Sequence, residues 1–139
     1  TGLQKLDRKE LKNYVGNLKS KSFDNMKLIS ELTHEAKKTL INKKFNEFGK
    51  LLDESWKIKK KLSKYISNSS VDSIYKLAIK NGALGGKILG AGGGGFFLFY
   101  IPNEIKKRFL KKMDFLLNID FKFEDEGSRI ILKDEDEKI

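Results

Sequence analysis

A run of glycines constrains this chain more than any other feature. Eight of the twelve glycines lie between Gly82 and Gly95, and the last four are consecutive. Ordering glycine has a high entropic cost, so a folded domain keeps such a run where the backbone needs positive φ or where another group closely approaches bare backbone. Successive N–H groups in a tight curve also form a concavity that binds anions. The run therefore predicts a phosphate-binding loop.

The residues around the run decide between the known kinds of phosphate loop. The Walker pattern needs Lys and then Ser or Thr after its last glycine, but Phe96 and Phe97 follow here. Gly90, Gly92 and Gly95 have the dinucleotide-binding spacing, but that motif leads into a helix, whereas an apolar strand candidate follows here. The protein-kinase loop requires a downstream Val-Ala-Ile-Lys strand and a catalytic loop, which this sequence lacks. A plain hairpin turn needs only about two to five residues, which disfavours a simple turn.

Helical spacing of apolar residues predicts three helices before the glycine run, over roughly 22–43, 43–65 and 71–81. The first has an inner stripe at Leu28, Leu32, Ala36 and Leu40. Ser22, Asn42 and Ser70 are the candidate N-caps, and Ser70 precedes the third helix directly. Gly82 occupies the position where a left-handed residue ends that helix.

The period of the apolar residues changes after the run. Residues 87–89 and 96–101 read as strands, the second an unbroken apolar run typical of a strand covered on both faces. Residues 103–117 read as a helix after Pro102, and 120–123 with 129–132 as a hairpin around Glu126 and Gly127. The predicted fold is α+β, one domain over 1–139 with a small, mainly antiparallel sheet of about four strands packed against helices.

Composition narrows the function further. The chain has no cysteine, which excludes disulfides and thiolate metal sites and agrees with a reducing cytoplasm. His34 is the only histidine, so no histidine metal pair exists and no metal site is predicted. The apolar stretch 88–101 is too short for a membrane span. The net charge of +10 fits either a polyanion-binding surface or solvated helix surfaces, and the scatter of lysines over every helix favours the second.

The segment 80–96, which contains the whole glycine run, resembles motif 3 of the GHMP kinases. This superfamily takes its name from galacto-, homoserine, mevalonate and phosphomevalonate kinases. The wider pattern resembles the D-glycero-D-manno-heptose 7-phosphate kinase branch, through residues 34–36, 48–56, 59–62, 66–68 and 128–130. The likeness extends over about 28–132.

The resemblance implies the C-terminal domain of a two-domain, ATP-dependent and magnesium-assisted sugar kinase. Its nucleotide and substrate phosphate loop maps onto Gly90, Ala91, Gly92, Gly93, Gly94 and Gly95. Candidate supporting positions are Gly85, Gly86, Lys87, Ser67 and Asn68. Lys87 could equally be a solvated residue at the start of a strand, and Ser67 and Asn68 could form the loop and N-cap before the third helix.

The main ATP motif and the catalytic residue of these kinases belong to the amino-terminal half, and no such motif occurs here. We therefore expect no catalytic residue in this chain, ATP and Mg²⁺ held mainly by its own N-terminal domain, and no turnover by the chain alone. Heptose 7-phosphate is the expected acceptor, with fucose, galactose or a mevalonate-type substrate as alternatives. A homodimer stays open, as do a basic nucleic-acid-binding module and a regulatory domain without activity.

Overall fold

The computed structural model describes residues 21–90, 92–124, 126 and 127. Among these residues, three helices precede the sheet: α1 (Lys21–Ile41), α2 (Phe45–Leu62) and α3 (Ser69–Lys80). Two strands follow, β1 (Gly85–Ile88) and β2 (Phe97–Tyr100), and then a 3-10 turn (Asn103–Ile105) that leads into α4 (Lys106–Lys112). The α+β class predicted from the sequence is confirmed.

The connection between α1 and α2 differs from the prediction. Asn42 does not cap α2, because it directly follows the last residue of α1 and its N–H donates back to the Lys38 carbonyl at 3.0 Å. The chain reverses at Lys43, which has a φ of +57°, and α2 starts after Lys44 with no side-chain cap. The two helices pack against each other.

Much of the predicted inner stripe of α1 is open to solvent within the described residues. Leu28 and Leu40 are 45% and 44% exposed, and Phe23 is 68% exposed. The four-residue spacing predicted the helix correctly, but α2 covers only part of the face that the spacing defines.

The first residue of α3 also corrects the prediction. Ser70 lies inside the helix, and Asn68 is the N-cap, whose side-chain Oδ1 accepts a hydrogen bond from the Val71 N–H at 3.0 Å. Asn68 has the extended backbone that an N-cap needs, which Ser70 lacks because it is already helical. Gly82 ends the helix with a φ of +104°, as predicted.

The sheet has two antiparallel strands in the part of the chain described, rather than about four. Gly85 pairs with Tyr100 and Ile88 with Phe97, so β1 begins two residues before the predicted 87–89 strand. Residues 120–123 form no strand, and Phe121 and Phe123 contact each other edge to face while remaining 60% and 88% exposed. The other half of the predicted hairpin, 129–132, lies outside the described residues.

Two buried clusters form the core, and Phe99 of β2 packs against both. One contains Trp56, Ile66, Val71, Tyr75 and Ile88, and the other Ala78, Ala83, Phe109 and Met113. The prediction that β2 is covered on both faces is wrong, since every residue of the strand is only half-buried. The predicted 103–117 helix is shorter and ends at Lys112, although Phe109 and Met113 lie on its buried side as expected.

Among the described residues, no helix combines the length and the apolar character that crossing a bilayer requires.

Candidate functional site

The glycine run forms a loop between β1 and β2, as the sequence predicts. The loop closes where the Leu89 N–H donates to the Phe96 carbonyl at 2.9 Å. Gly90, Gly92, Gly93 and Gly95 all have positive φ, between +74° and +112°. These conformations are easily adopted only by glycine, which explains the density of glycine here. Ala91 lies outside the described residues, so its place in the loop stays a prediction.

Gly92 sits directly on the segment that precedes α3. A Cβ at this position would lie 2.8 Å from both the Cα and the carbonyl oxygen of Ile66. The next residue continues the contact, because the Gly93 N–H donates to the Ile66 carbonyl at 2.9 Å. A Cβ at Gly90, by contrast, would meet nothing within 4 Å. The Gly92–Gly93 side of the loop therefore packs against the backbone of Ile66, and the Gly90 end faces open space.

Asn68 connects the loop to the start of α3. Its Nδ2 donates to the Gly93 carbonyl at 2.9 Å, while its Oδ1 caps the helix at Val71. Both ends of one side-chain amide are thus used, and the position of Gly93 is tied to the N-terminus of α3. The sequence predicted a supporting role for Asn68, and the structure places it in contact with the loop.

Ser67, the other predicted supporting residue, bonds to α3 instead of the loop. Its hydroxyl donates to Asp72 Oδ1 at 2.9 Å, and Lys60 Nζ donates to the same oxygen at 2.9 Å. Desolvation would raise the pKa of Asp72, but the hydrogen bonds from Lys60 and Ser67 outweigh it and lower that pKa. Ser67 therefore helps to fix the segment on which the loop rests.

Gly85 and Gly86 have a packing role in β1. A Cβ on Gly85 would collide with the Gly49 carbonyl of α2, and one on Gly86 would collide with the Phe99 ring. The two glycines let the strand approach the helix and its partner strand closely. They position the start of the loop without lining it.

Lys59 is the contributor that the sequence did not single out. Its Nζ reaches from α2 to the Gly90 carbonyl at 2.9 Å. A signal for it exists in the spacing: Lys59 lies three residues after Trp56, which is fully buried, so the two share a helix face that points inward. Burial lowers the pKa of Lys59, and the neighbouring Lys87 ammonium lowers it further.

Asp53, on the same helix, makes contacts that hold α2 and α3 together. Its carboxylate accepts a hydrogen bond from the Tyr75 hydroxyl at 2.8 Å and pairs with Lys57. Burial raises the pKa of Tyr75, and the bond to Asp53 raises it further. Asp53 thus joins α2 to α3 beneath the sheet.

The donors left open around the loop suit an anion. In the part of the chain described, the N–H groups of Gly90, Gly92 and Gly94 donate to no protein acceptor. Two half-buried lysines lie near this loop: Lys59 contacts the Gly90 carbonyl, and Lys87 is close enough to Lys59 for its charge to act on that ammonium. No group of three or more His, Asp or Glu side chains in the described segments is arranged to hold a metal ion. The residues around the loop fit a phosphate and do not fit Mg²⁺.

Comparison with known proteins gives one family and three curated relatives. The family described as "GHMP kinases C terminal" matches residues 36–115. D-glycero-alpha-D-manno-heptose 7-phosphate kinase of Campylobacter jejuni is 38% identical over 93 residues, which are 67% of this chain and 27% of that protein. The bifunctional fucokinase/GDP-fucose pyrophosphorylase of Arabidopsis thaliana is 31% identical over 63% of this chain and 8% of that protein. Galactokinase of Dictyostelium discoideum is 41% identical over 49% of this chain and 13% of that protein.

The chain thus spans about a quarter or less of each of these relatives. The family match includes α2, α3, both strands and the glycine loop, and extends over more than half of the chain. This protein therefore belongs to the GHMP kinase C-terminal family.

Proposed function

We propose that this chain is the carboxyl-terminal part of an ATP-dependent sugar or sugar-phosphate kinase, with its glycine loop placed against phosphate groups. One observation carries the proposal: the loop is bound to the domain on its Ile66 side while the amides of Gly90, Gly92 and Gly94 stay open. The sugar kinases among the curated relatives support the class of reaction.

Phosphoryl transfer depends mainly on positioning and on stabilisation of developing negative charge. Backbone N–H groups of glycine supply both without adding bulk between the reacting groups. In this proposal Gly90, Gly92 and Gly94 contribute such amides. The ATP motif, the catalytic residue and the Mg²⁺ ligands would come from an amino-terminal half.

D-glycero-D-manno-heptose 7-phosphate is the acceptor that we propose. The 38% identity to a kinase of that name supports this choice, in agreement with the motif pattern of the sequence. Fucose and galactose are the alternatives, since relatives with those names also match this chain. The cytoplasmic location predicted from the absence of cysteine belongs to the same proposal.

The test is a coupled assay of ADP release by the protein that joins this chain to an amino-terminal kinase half. Heptose 7-phosphate, fucose and galactose are supplied in parallel with ATP and Mg²⁺. We expect turnover with one sugar and none with this chain by itself. Failure of the joined protein with every sugar would refute the kinase proposal, and turnover by the chain alone would refute its dependence on the other half.

An RNA-binding module would use exposed aromatic rings on the sheet as stacking platforms. In β2, Phe97 stacks on Phe99 at 5.1 Å, and Phe99 packs against Tyr75 and Phe109 in the core. These contacts favour the kinase proposal. A gel shift at physiological salt separates the two, because tight and salt-sensitive RNA binding would support the module.

A further inference from the structure

Two lysines from different elements lie near each other, and one of them contacts Gly90 of the loop. Lys59 belongs to α2 and Lys87 to β1, three residues before Gly90. Lys59 donates to the Gly90 carbonyl at 2.9 Å, which uses one of the three hydrogens of its ammonium group. Both side chains are half-buried. The Lys87 ammonium forms no hydrogen bond or ion pair with any described group.

Two neighbouring lysines of α2, unlike Lys59, form ion pairs. Lys57 pairs with Asp53, and Lys60 pairs with Asp72. Within the described residues no carboxylate pairs with Lys59 or Lys87. Asp53 and Asp72 thus pair with other lysines, and no described carboxylate pairs with the ammonium groups of Lys59 and Lys87.

This arrangement has an energetic cost in the free protein. A desolvated ammonium and a second one beside it both disfavour the charged state of Lys59, and its lowered pKa reflects both effects. An anion bound between the two groups would remove the repulsion and replace the lost hydration. A phosphate fits best, because it accepts several charge-assisted hydrogen bonds at once, and Gly90, the residue that Lys59 contacts, has an N–H with no acceptor among the described residues.

We propose that Lys59 and Lys87 together bind one phosphate group of a substrate at the Gly90 end of the glycine loop. The inference rests on the proposed kinase function and names the residues that recognise its phosphorylated substrate. The phosphate comes either from ATP or from a sugar phosphate. Because Lys59 also holds the Gly90 carbonyl, phosphate binding and loop position are coupled through this one side chain.

Binding is measured by isothermal titration of the 139-residue chain with ATP, with heptose 7-phosphate and with unphosphorylated heptose. The variants are Lys59→Met and Lys87→Met. Lys61→Met is the matched control, because Lys61 is exposed on the same helix and its loss changes the net charge equally. Lys59→Arg retains the positive charge and serves as the conservative variant. Circular dichroism of every variant shows whether a loss of affinity reflects lost binding contacts or lost folding.

We expect Lys59→Met and Lys87→Met each to weaken one phosphorylated probe about tenfold or more, as for a lost charge-assisted hydrogen bond. Lys61→Met should weaken it less than about twofold, and unphosphorylated heptose should not respond to the lysine variants. Affinity should also fall as the pH rises through the lowered pKa of Lys59, because the ammonium is lost. An effect confined to ATP assigns the site to the nucleotide, and one confined to heptose 7-phosphate assigns it to the acceptor.

Two results would overturn the inference: equal losses in the Lys59, Lys87 and Lys61 variants, or no binding of either phosphorylated probe at millimolar concentration. Neither result depends on turnover. If the joined protein is an active kinase but the Lys59, Lys87 and Lys61 variants bind the phosphorylated probe equally, the lysine site is refuted and the kinase function is not. A joined protein inactive with every sugar, while the chain still binds phosphate through both lysines, would refute only the kinase function.

Discussion

The alanine variants at Gly92 and Gly90 separate two reasons for glycine in the loop. Both residues have positive φ, +112° and +84° respectively. An alanine Cβ in such a conformation costs about 1–2 kcal/mol. This cost is common to both variants, so it cancels when they are compared.

Only Gly92→Ala adds a collision. Its Cβ would lie 2.8 Å from two backbone atoms of Ile66, and backbone gives way far less easily than a side chain. The loop would have to move away from its seat, which breaks the two hydrogen bonds at Gly93, with Ile66 and Asn68. At about 1 kcal/mol for each bond, Gly92→Ala should cost about 3–4 kcal/mol and Gly90→Ala about 1–2 kcal/mol.

Urea unfolding of the two variants beside the unchanged chain measures this difference. We expect the variants to differ by about 2 kcal/mol in the free energy of unfolding, with equal m-values. Thermal unfolding should show a gap of about 8 °C for a domain of this size. If both variants unfold with the same free energy within about 0.5 kcal/mol, the seating of Gly92 on Ile66 is refuted.

The same pair makes an opposite prediction for phosphate binding. The space around Gly90 is empty, so a methyl group there is tolerated by the fold but occupies the position proposed for the phosphate. Gly90→Ala should therefore lose affinity for the phosphorylated probe while keeping most of its stability. Unchanged affinity in this variant would place the phosphate elsewhere along the loop.

Three further changes test the surroundings of the loop. Asn68→Ala should lower the free energy of unfolding by about 1–2 kcal/mol through loss of the cap, and should speed hydrogen exchange at the Gly93 amide. Asn68→Asp keeps the cap and should retain most of the stability, so equal losses of stability in both variants would contradict this role. Tyr75→Phe should remove the hydrogen bond to Asp53 and cost about 1 kcal/mol; a variant as stable as the unchanged chain in urea would contradict it. The pKa of Asp72 is lowered in the folded state, so its contribution to stability is present above its unfolded pKa of about 4 and is lost as the pH falls through the folded value. Asp72→Asn should therefore show a smaller loss of stability in acid, and an unchanged acid limb in urea unfolding at several pH values would contradict the assignment.

The loop itself could be predicted from the sequence because its cause is local. Glycine density reports the backbone conformations that the chain must adopt, and four glycines of the loop have positive φ in the structure. The attachment of the loop to Ile66 and Asn68 could not be predicted in the same way. The hydrogen bond from Asn68 to Gly93 joins residues 25 positions apart, and no periodic pattern encodes that contact.

The N-cap of α3 shows the same limit at smaller scale. Residues 67–70 read Ser-Asn-Ser-Ser, and every one of them is a favourable cap residue. Local propensity therefore cannot choose among them. Asn68 has two polar groups on its side chain, so it can cap the helix with one and hold Gly93 with the other. The tertiary contact with the loop explains why the cap lies two residues before the predicted one.

The way the loop is attached also determines which of its amides can meet a phosphate. The C=O of a residue and the N–H of the next point in opposite directions in a trans peptide. Asn68 holds the Gly93 carbonyl, so the Gly94 N–H points away from Asn68 and remains open. The Gly93 N–H, in contrast, is bound to Ile66, and so it is already used. The glycines of the motif are therefore not equivalent: Gly93 anchors the loop, and the anchoring directs the amide of Gly94 outward.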